Sequence, residues 1–217
     1  MSLLRLVSPA LPVGGYSYSR GLEQAVERGW VHDAETTFDW ISAVVGRSTA
    51  RTDAPAVHHL YAAFLRDDQT HVDRWARTLA ALRETSELWA EEHGMGESLA
   101  RLLVDLGHAE ASRFLKHPDR SFAVTFALAA TLWGISVQDA VTGYLWVVCE
   151  GQVSAAVRLI PLGQTDGQRI LGRLNTLIPA WSTAAGQLGL DDIGGFLPGV
   201  AMASAHHEQQ YSRLFRS

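Results

Sequence analysis

Apolar residues recur every three to four positions along nearly the whole chain. Val72, Trp75, Leu79, Leu82 and Leu88 or Trp89 alternate with Arg74, Arg77, Arg83 and Glu84, the stripe of an amphipathic helix. Start and stop residues divide this pattern. A helix over 19–28 ends at Gly29, Asp33 caps a helix over 34–48, and Asp53 caps one over 54–66. The periodic stretch over about 71–93 is expected to break at Gly94 and Gly96, with a further helix over 97–106 closed by Gly107.

The second half reads the same way. Helices are expected over 119–133, stopped by Gly134, and over 137–159, stopped by Pro161 and opened by Ser136 with Asp139 in a capping-box spacing. Another runs over 165–177 before Pro179, with a short one following to Leu188. The last starts with Pro198 in its first turn and reaches about Arg213. Alternating strand patterns with hairpin turns are essentially absent, and no linker, repeat or composition break marks a second unit. The expected fold is an all-α single-domain bundle of roughly eight to ten helices spanning residues 1–217.

Composition narrows the class. With 217 residues, 47% of them hydrophobic, the chain buries a sizeable core without cross-links. Basic residues number 18 against 23 acidic, a formal net charge of −5, which argues against binding to nucleic acid or an anionic membrane surface. The uncharged stretches over 121–138 and 140–149 carry Thr125, Thr131, Gly134, Ser136 and Gln138 and read as buried helices, not membrane spans. Residues 1–7 do not resemble a signal peptide, so a soluble cytoplasmic protein is expected. Cys149 is the only cysteine, which excludes an internal disulfide and a multi-cysteine zinc site. Lys116, the only lysine, precedes His117, so no P-loop is present.

Familiar catalytic patterns do not assemble. Nine histidines form neither a His-Glu-x-x-His helix nor a repeated Glu-x-x-His pair. Adjacent His58-His59 and His206-His207 point about 100° apart on a helix, although His206 and His207, with Glu208, remain candidates for a nickel or zinc site across a symmetric interface. Gly15-Tyr16-Ser17-Tyr18-Ser19 lacks the last glycine of a hydrolase elbow, and Gly94-Met95-Gly96 is only a fragment of a dinucleotide loop.

Four segments are unusual for a plain helical core. In the first, Ser8-Pro9-Ala10-Leu11-Pro12-Val13-Gly14-Gly15-Tyr16-Ser17-Tyr18-Ser19, prolines stiffen an extended entry and glycines permit a turn that drops two tyrosines onto a helix start. The second, Arg83-Glu84-Thr85 through Gly94-Met95-Gly96, carries charges at a helical spacing that normally marks a solvated face. The third places Glu150, Gln152 and Arg158 in an otherwise apolar helix, ahead of Pro161-Leu162-Gly163-Gln164 and Gly167-Gln168, and needs buried partners or a binding surface. The fourth is the tail, with Tyr211, Arg213, Leu214, Phe215 and Arg216. It either docks on a partner as an aromatic-and-arginine anchor or packs back on the core.

These segments, in this order, resemble the urease accessory protein F (UreF) family. The likeness includes Ser8-Pro9-x-Leu11-Pro12-x-Gly14-Gly15-Tyr16-Ser17-Tyr18-Ser19-x-Gly21-Leu22-Glu23, Arg83-Glu84-Thr85 with Met95-Gly96, Gly143-Tyr144-Leu145-Trp146, Pro161-Leu162-Gly163-Gln164 with Gly167-Gln168, and Tyr211 to Ser217. The resemblance implies an all-α scaffold with no catalysis and no tightly bound cofactor, nickel passing only in transit. It also implies a homodimer that binds a UreD/UreH-type accessory protein, recruits the UreG-type GTPase and docks on apo-urease. On that reading the tail orders on the UreD-type partner, burying Leu214 and Phe215. Tyr16, Ser17, Tyr18 and Glu23, with Arg83, Glu84, Glu150, Gln152, Arg158, Gln164 and Gln168, supply further docking surface, and Glu150, Gln152, Gln164 and Gln168 line a wet internal route.

Two positions depart from the family's usual pattern. Gly151 stands where an asparagine is usual, and Arg158 where lysine is common, so a planar fork replaces a point charge. Alternatives of other classes are a metal-dependent helical hydrolase and an unrelated helical protein-binding module.

Overall fold

Residues 122–130 are all buried, so the helix that carries them has no solvent face and belongs at the centre of the molecule. The computed structural model describes residues 1–217 and contains ten α-helices and no strand. They are α1 (Ser2–Leu6), α2 (Leu22–Glu27), α3 (Ala34–Arg47), α4 (Asp53–Leu65), α5 (Gln69–Ala81), α6 (Ser86–Asp105), α7 (Phe122–Leu132), α8 (Val137–Leu159), α9 (Gln164–Ala185) and α10 (Pro198–His207). Short 3-10 turns lie at Gly15–Ser17, Thr49–Arg51 and Ala109–Leu115.

The central α7 packs between α4 and α6, and α8 is enclosed by α3, α4 and α9. Phe122, Phe126 and Tyr144 join α7 to α8, with ring centroids 5.3–5.7 Å apart. The small helix α10 lies on α2 and α6, so the two ends of the chain meet on the same side of the bundle. No helix is long and apolar enough to cross a membrane. Cys149 is buried in α8, and burial pushes its thiol up to about 12.

The all-α architecture matches the reading of the sequence, and α8 has the expected bounds, with the Ser136 hydroxyl accepting from the Asp139 amide at 3.1 Å. Several boundaries are corrected. The 71–93 stretch breaks at 82–85, not at Gly94 and Gly96, because Thr85 caps a new helix and accepts from the Leu88 amide at 3.2 Å. Both glycines stay inside α6, where Gly96 allows close contact with α7: a Cβ there would lie 2.6 Å from the Ser121 carbonyl carbon. Asp53 is not a cap either, since its carboxylate pairs with Arg83.

Further along, α7 begins at Phe122, capped by Ser121, instead of at Asp119. Pro179 lies within α9 instead of ending the preceding helix. Buried Ile170, Leu171, Leu174, Ile178, Ser182 and Ala185 continue one stripe across it, and that packing outweighs the roughly 3 kcal/mol intrinsic cost of an interior proline. Helix α10 stops at His207, not near Arg213.

Candidate functional site

The site is built on a sharp reversal between the Gly15–Ser17 turn and α2. Gly21 has φ +79°, and a Cβ on it would also press on α10, 3.1 Å from the Ser204 amide nitrogen. Arg20 has φ 53°, unusual for a residue with a side chain. Its guanidinium is held on both sides: Nε donates to Glu91 Oε1 at 2.6 Å and Nη2 donates to Glu92. The reversal turns Ser19 and Glu23 toward the C-terminal tail.

The tail is fastened there mainly through its backbone. Glu23 accepts from the Leu214 amide at 2.7 Å with Oε1 and from the Phe215 amide at 2.9 Å with Oε2. The Arg216 amide donates to the Ser17 carbonyl at 2.8 Å, and the Ser19 amide donates to the Ser217 carbonyl at 2.7 Å, where the Ser19 hydroxyl also donates. Ser217 Oγ donates to Glu91 Oε2 at 2.9 Å, and Arg213 Nη1 donates to Glu87 Oε1 at 2.9 Å.

Under these bonds lies His207, with no exposed surface. Its Nε2 is 3.0 Å from Glu23 Oε2 and its Nδ1 is 2.9 Å from Glu87 Oε2. Each contact is a hydrogen bond only with a proton between the two atoms. Phe215 is buried, packed with Leu22, Ala25, Val31, Ala155, Ala156 and Ile160. Arg158 covers its ring, with the guanidinium carbon 4.7 Å from the centroid, and Nη1 donates to the Tyr16 carbonyl at 3.1 Å. Gln152 Nε2 donates to the Ser19 carbonyl at 3.0 Å.

A second set of buried charges continues inward. Arg83 donates to Asp53, and its Nη2 stands 3.6 Å from Glu92 Oε2, an oxygen that accepts no hydrogen bond. Burial raises the Asp53 carboxyl, but Arg83 and then Arg20 outweigh it and hold the group below its usual range. For Glu92 burial wins over the same two arginines, and its carboxyl lies above the usual range.

The four unusual segments therefore converge. Tyr16, Ser17, Glu23, Arg83, Gln152, Arg158, Arg213, Phe215 and Arg216 belong to one connected seam, although Arg216 joins it through its backbone. Tyr16 and Tyr18 line a neighbouring cavity of about 110 Å³ with Glu150 and Gln152, and burial raises the Glu150 carboxyl. Gln164 and Gln168 are exposed on α9 and do not line that cavity, which corrects the expected internal route. Glu84 is exposed on the α5–α6 connection.

The histidine pair also divides, His206 being exposed while both ring nitrogens of His207 are occupied by carboxylates. No three His, Cys, Asp or Glu side chains assemble in a metal-holding arrangement. Where the tail was expected to bury Leu214 and Phe215 together against a partner, Phe215 is already buried in its own chain and Leu214 remains 56% exposed.

Sequence reasoning missed Ser19, Arg20, Glu87, Glu91 and Glu92. A signal was present in α6: Glu87 and Glu91 fall on the same four-residue spacing as Met95, Leu99 and Leu103, which is the buried stripe and not a solvated face. Carboxylates on an apolar stripe call for internal partners: Arg20 and Arg213 supply cations, and His207 stands within hydrogen-bond distance of Glu87.

Fold and seam together define an all-α protein whose N-terminal turn and C-terminal tail are clamped around buried carboxylates. The chain belongs to the UreF family, whose model, described as UreF, matches residues 31–175. It is 48% identical to the urease accessory protein UreF of Alkalilimnicola ehrlichii over 99% of this chain and 94% of that protein. Identity to the protein of the same name from Hahella chejuensis is 41% over 100% of this chain and 97% of that one. The corresponding figures for the Azoarcus relative are 46%, 99% and 94%.

Proposed function

We propose that this urease accessory protein is a non-catalytic cytoplasmic scaffold for delivering nickel to apo-urease. It binds a UreD/UreH-type accessory protein, recruits a UreG-type GTPase and works as a homodimer within the complex, nickel being cargo in transit. The observation that carries this reading is the division of the tail. Its backbone and Phe215 are fixed inward, while Tyr211 is fully exposed, Leu214 is 56% exposed and the Arg216 side chain faces solvent near the 72% exposed Tyr16. A tail backbone that is already fixed leaves mainly side-chain rotamer entropy to lose on docking, and aromatic and arginine residues dominate interface energetics.

Arg158, exposed over the Phe215 ring and bonded to the Tyr16 carbonyl, and Gln152, buried and bonded to the Ser19 carbonyl, hold this surface in place. The decisive experiment is co-purification with the UreD-type protein and the GTPase. It compares the full chain, a chain ending after His207, and a Tyr211→Ala/Leu214→Asp variant that keeps every inward bond. The full chain forms the complex, and both altered chains lose it. Retention of the partner by the double variant would overturn the assignment of the outer tail face.

A further inference from the structure

A cavity of about 260 Å³ is lined in part by the Arg20–Glu92 pair and lies between the end of α3, the α5–α6 connection and the start of α10. Its lining combines apolar Val44, Leu82, Leu88, Phe196, Leu197 and Val200 with charged Arg20, Arg83, Glu84 and Glu92. The outer rim is fixed. The Gly194 amide donates to the Arg51 carbonyl at 3.1 Å, and a Cβ on Gly195 would collide with the Arg47 carbonyl oxygen. Phe196 therefore stands at the mouth, 67% exposed.

Two arginines and two glutamates line this cavity, and Asp53 and Glu91, paired to those arginines from outside the lining, add two more carboxylates. Arg20 and Arg83 face four carboxylates: Asp53, Glu84, Glu91 and Glu92. Arg83 is committed to Asp53, and Arg20 divides between Glu91 and Glu92. Glu92 Oε2 is left without a hydrogen bond, Arg83 Nε is likewise unpartnered, and Glu84 has no ion-pair partner. Tyr144, whose hydroxyl is also unpartnered, adds no positive charge. A buried carboxylate left in excess favours either a proton or an incoming cation.

We propose that this cavity binds an organic cation, an ammonium or guanidinium group on a short apolar stem, with Glu92 and Glu84 as acceptors and Phe196 beside the stem. Lack of a converging set of metal ligands sets a bare metal ion aside, and the volume is below that of ordinary drug-sized pockets, which suits a stem of about four carbons. A free alkyl amine or guanidine and the side chain of a lysine or arginine from another protein share this chemistry. The proposal is independent of the tail surface.

The test is calorimetric titration of the full chain at neutral pH with n-butylguanidinium and n-butylammonium, against the neutral N-butylacetamide of similar size. At least one cation binds more tightly than the amide. Glu92→Gln, which imitates the protonated carboxyl and keeps the site's shape, weakens cation binding by about tenfold to a hundredfold, the size of one charge-assisted hydrogen bond. Phe196→Ala, at the exposed mouth, weakens it without reaching the buried charges and serves if the first variant does not fold. No binding, equal binding of cation and amide, or cation affinity unchanged by both substitutions overturns the proposal. Once binding is seen, competition between n-butylguanidinium and the UreD-type protein assigns the site to a partner's side chain, and its absence assigns it to a free small molecule.

Discussion

His207 Nε2 and Glu23 Oε2 lie 3.0 Å apart in a place where the histidine has no exposed surface, and the same carboxylate group accepts both tail amides. One side chain from α2 thus joins the end of α10 to the tail. Replacing Glu23 with Ala leaves the Leu214 and Phe215 amides without their acceptor and His207 with Glu87 as its only carboxylate partner. Each buried donor left unpaired costs about 1–3 kcal/mol, of which part is recovered here if the tail simply lets go. The expected result is loss of amide-exchange protection at Leu214 and Phe215 and rapid proteolytic trimming of the tail, with the central α7 still protected. Undiminished protection at those two amides would show that Phe215 packing alone holds the tail.

Glycine has opposite meanings at two helical positions of the bundle. At Gly96 an added methyl group meets the Ser121 backbone, which cannot move away as a flexible side chain would, and overpacking of this kind costs about 1–3 kcal/mol. At Gly151, inside α8, no atom lies within 4 Å of an added Cβ. Alanine there removes unfolded-state freedom and raises stability by about 0.5–1 kcal/mol. Denaturation midpoints of Gly96→Ala and Gly151→Ala should therefore move in opposite directions, and a shared direction would contradict the packing.

Local signals carried the sequence reading wherever capping residues and apolar spacing agreed, as in α8 with its Ser136 cap. They failed where tertiary contacts override local preference. Pro179 is retained in α9 because the buried stripe continues past it, and Gly94 and Gly96 stay helical because α6 must approach its neighbours. The site was legible as four separate segments. Their convergence was not, because it depends on pairings such as Glu23 with Phe215 and Arg83 with Asp53 across large separations in the chain. Glu87 and Glu91 were hidden by an assumption that charges at helical spacing face water.

Glu92 and Asp53 give the buried charges opposing pH dependences. The Asp53 carboxyl is held low, so its stabilising share is present above about pH 4 and is lost on acidification. The Glu92 carboxyl is held high by burial, so its share is complete when both folded and unfolded states keep the proton and is lost as pH rises through the folded value. Comparing wild type with Glu92→Gln isolates the titration of Glu92 together with its interaction with Asp53. Urea denaturation of both proteins as pH rises from about 4 should show the stability difference moving in favour of the glutamine variant until Glu92 has lost its proton in the folded state. Movement toward wild type over that interval would mean that Arg20 and Arg83 outweigh burial at Glu92.

Arg158 is exposed, yet it touches two of the segments that form the candidate surface: its guanidinium covers the Phe215 ring and donates to the Tyr16 carbonyl at 3.1 Å. A planar fork performs both tasks at once, whereas the compact ammonium of lysine retains charge and one hydrogen bond but not the stacked plane. Arg158 is thus a positioning residue, holding Tyr16 above the tail. Its exposure limits the global cost of Arg158→Ala to within about 1 kcal/mol. The local effect is larger: exchange protection of the Arg216 amide, which donates to the Ser17 carbonyl, falls together with affinity for the UreD-type protein. Arg158→Lys restores part of both quantities. If affinity fell while Arg216 protection stayed at the wild-type level, Arg158 would be contacting the partner itself, and the positioning role would be wrong.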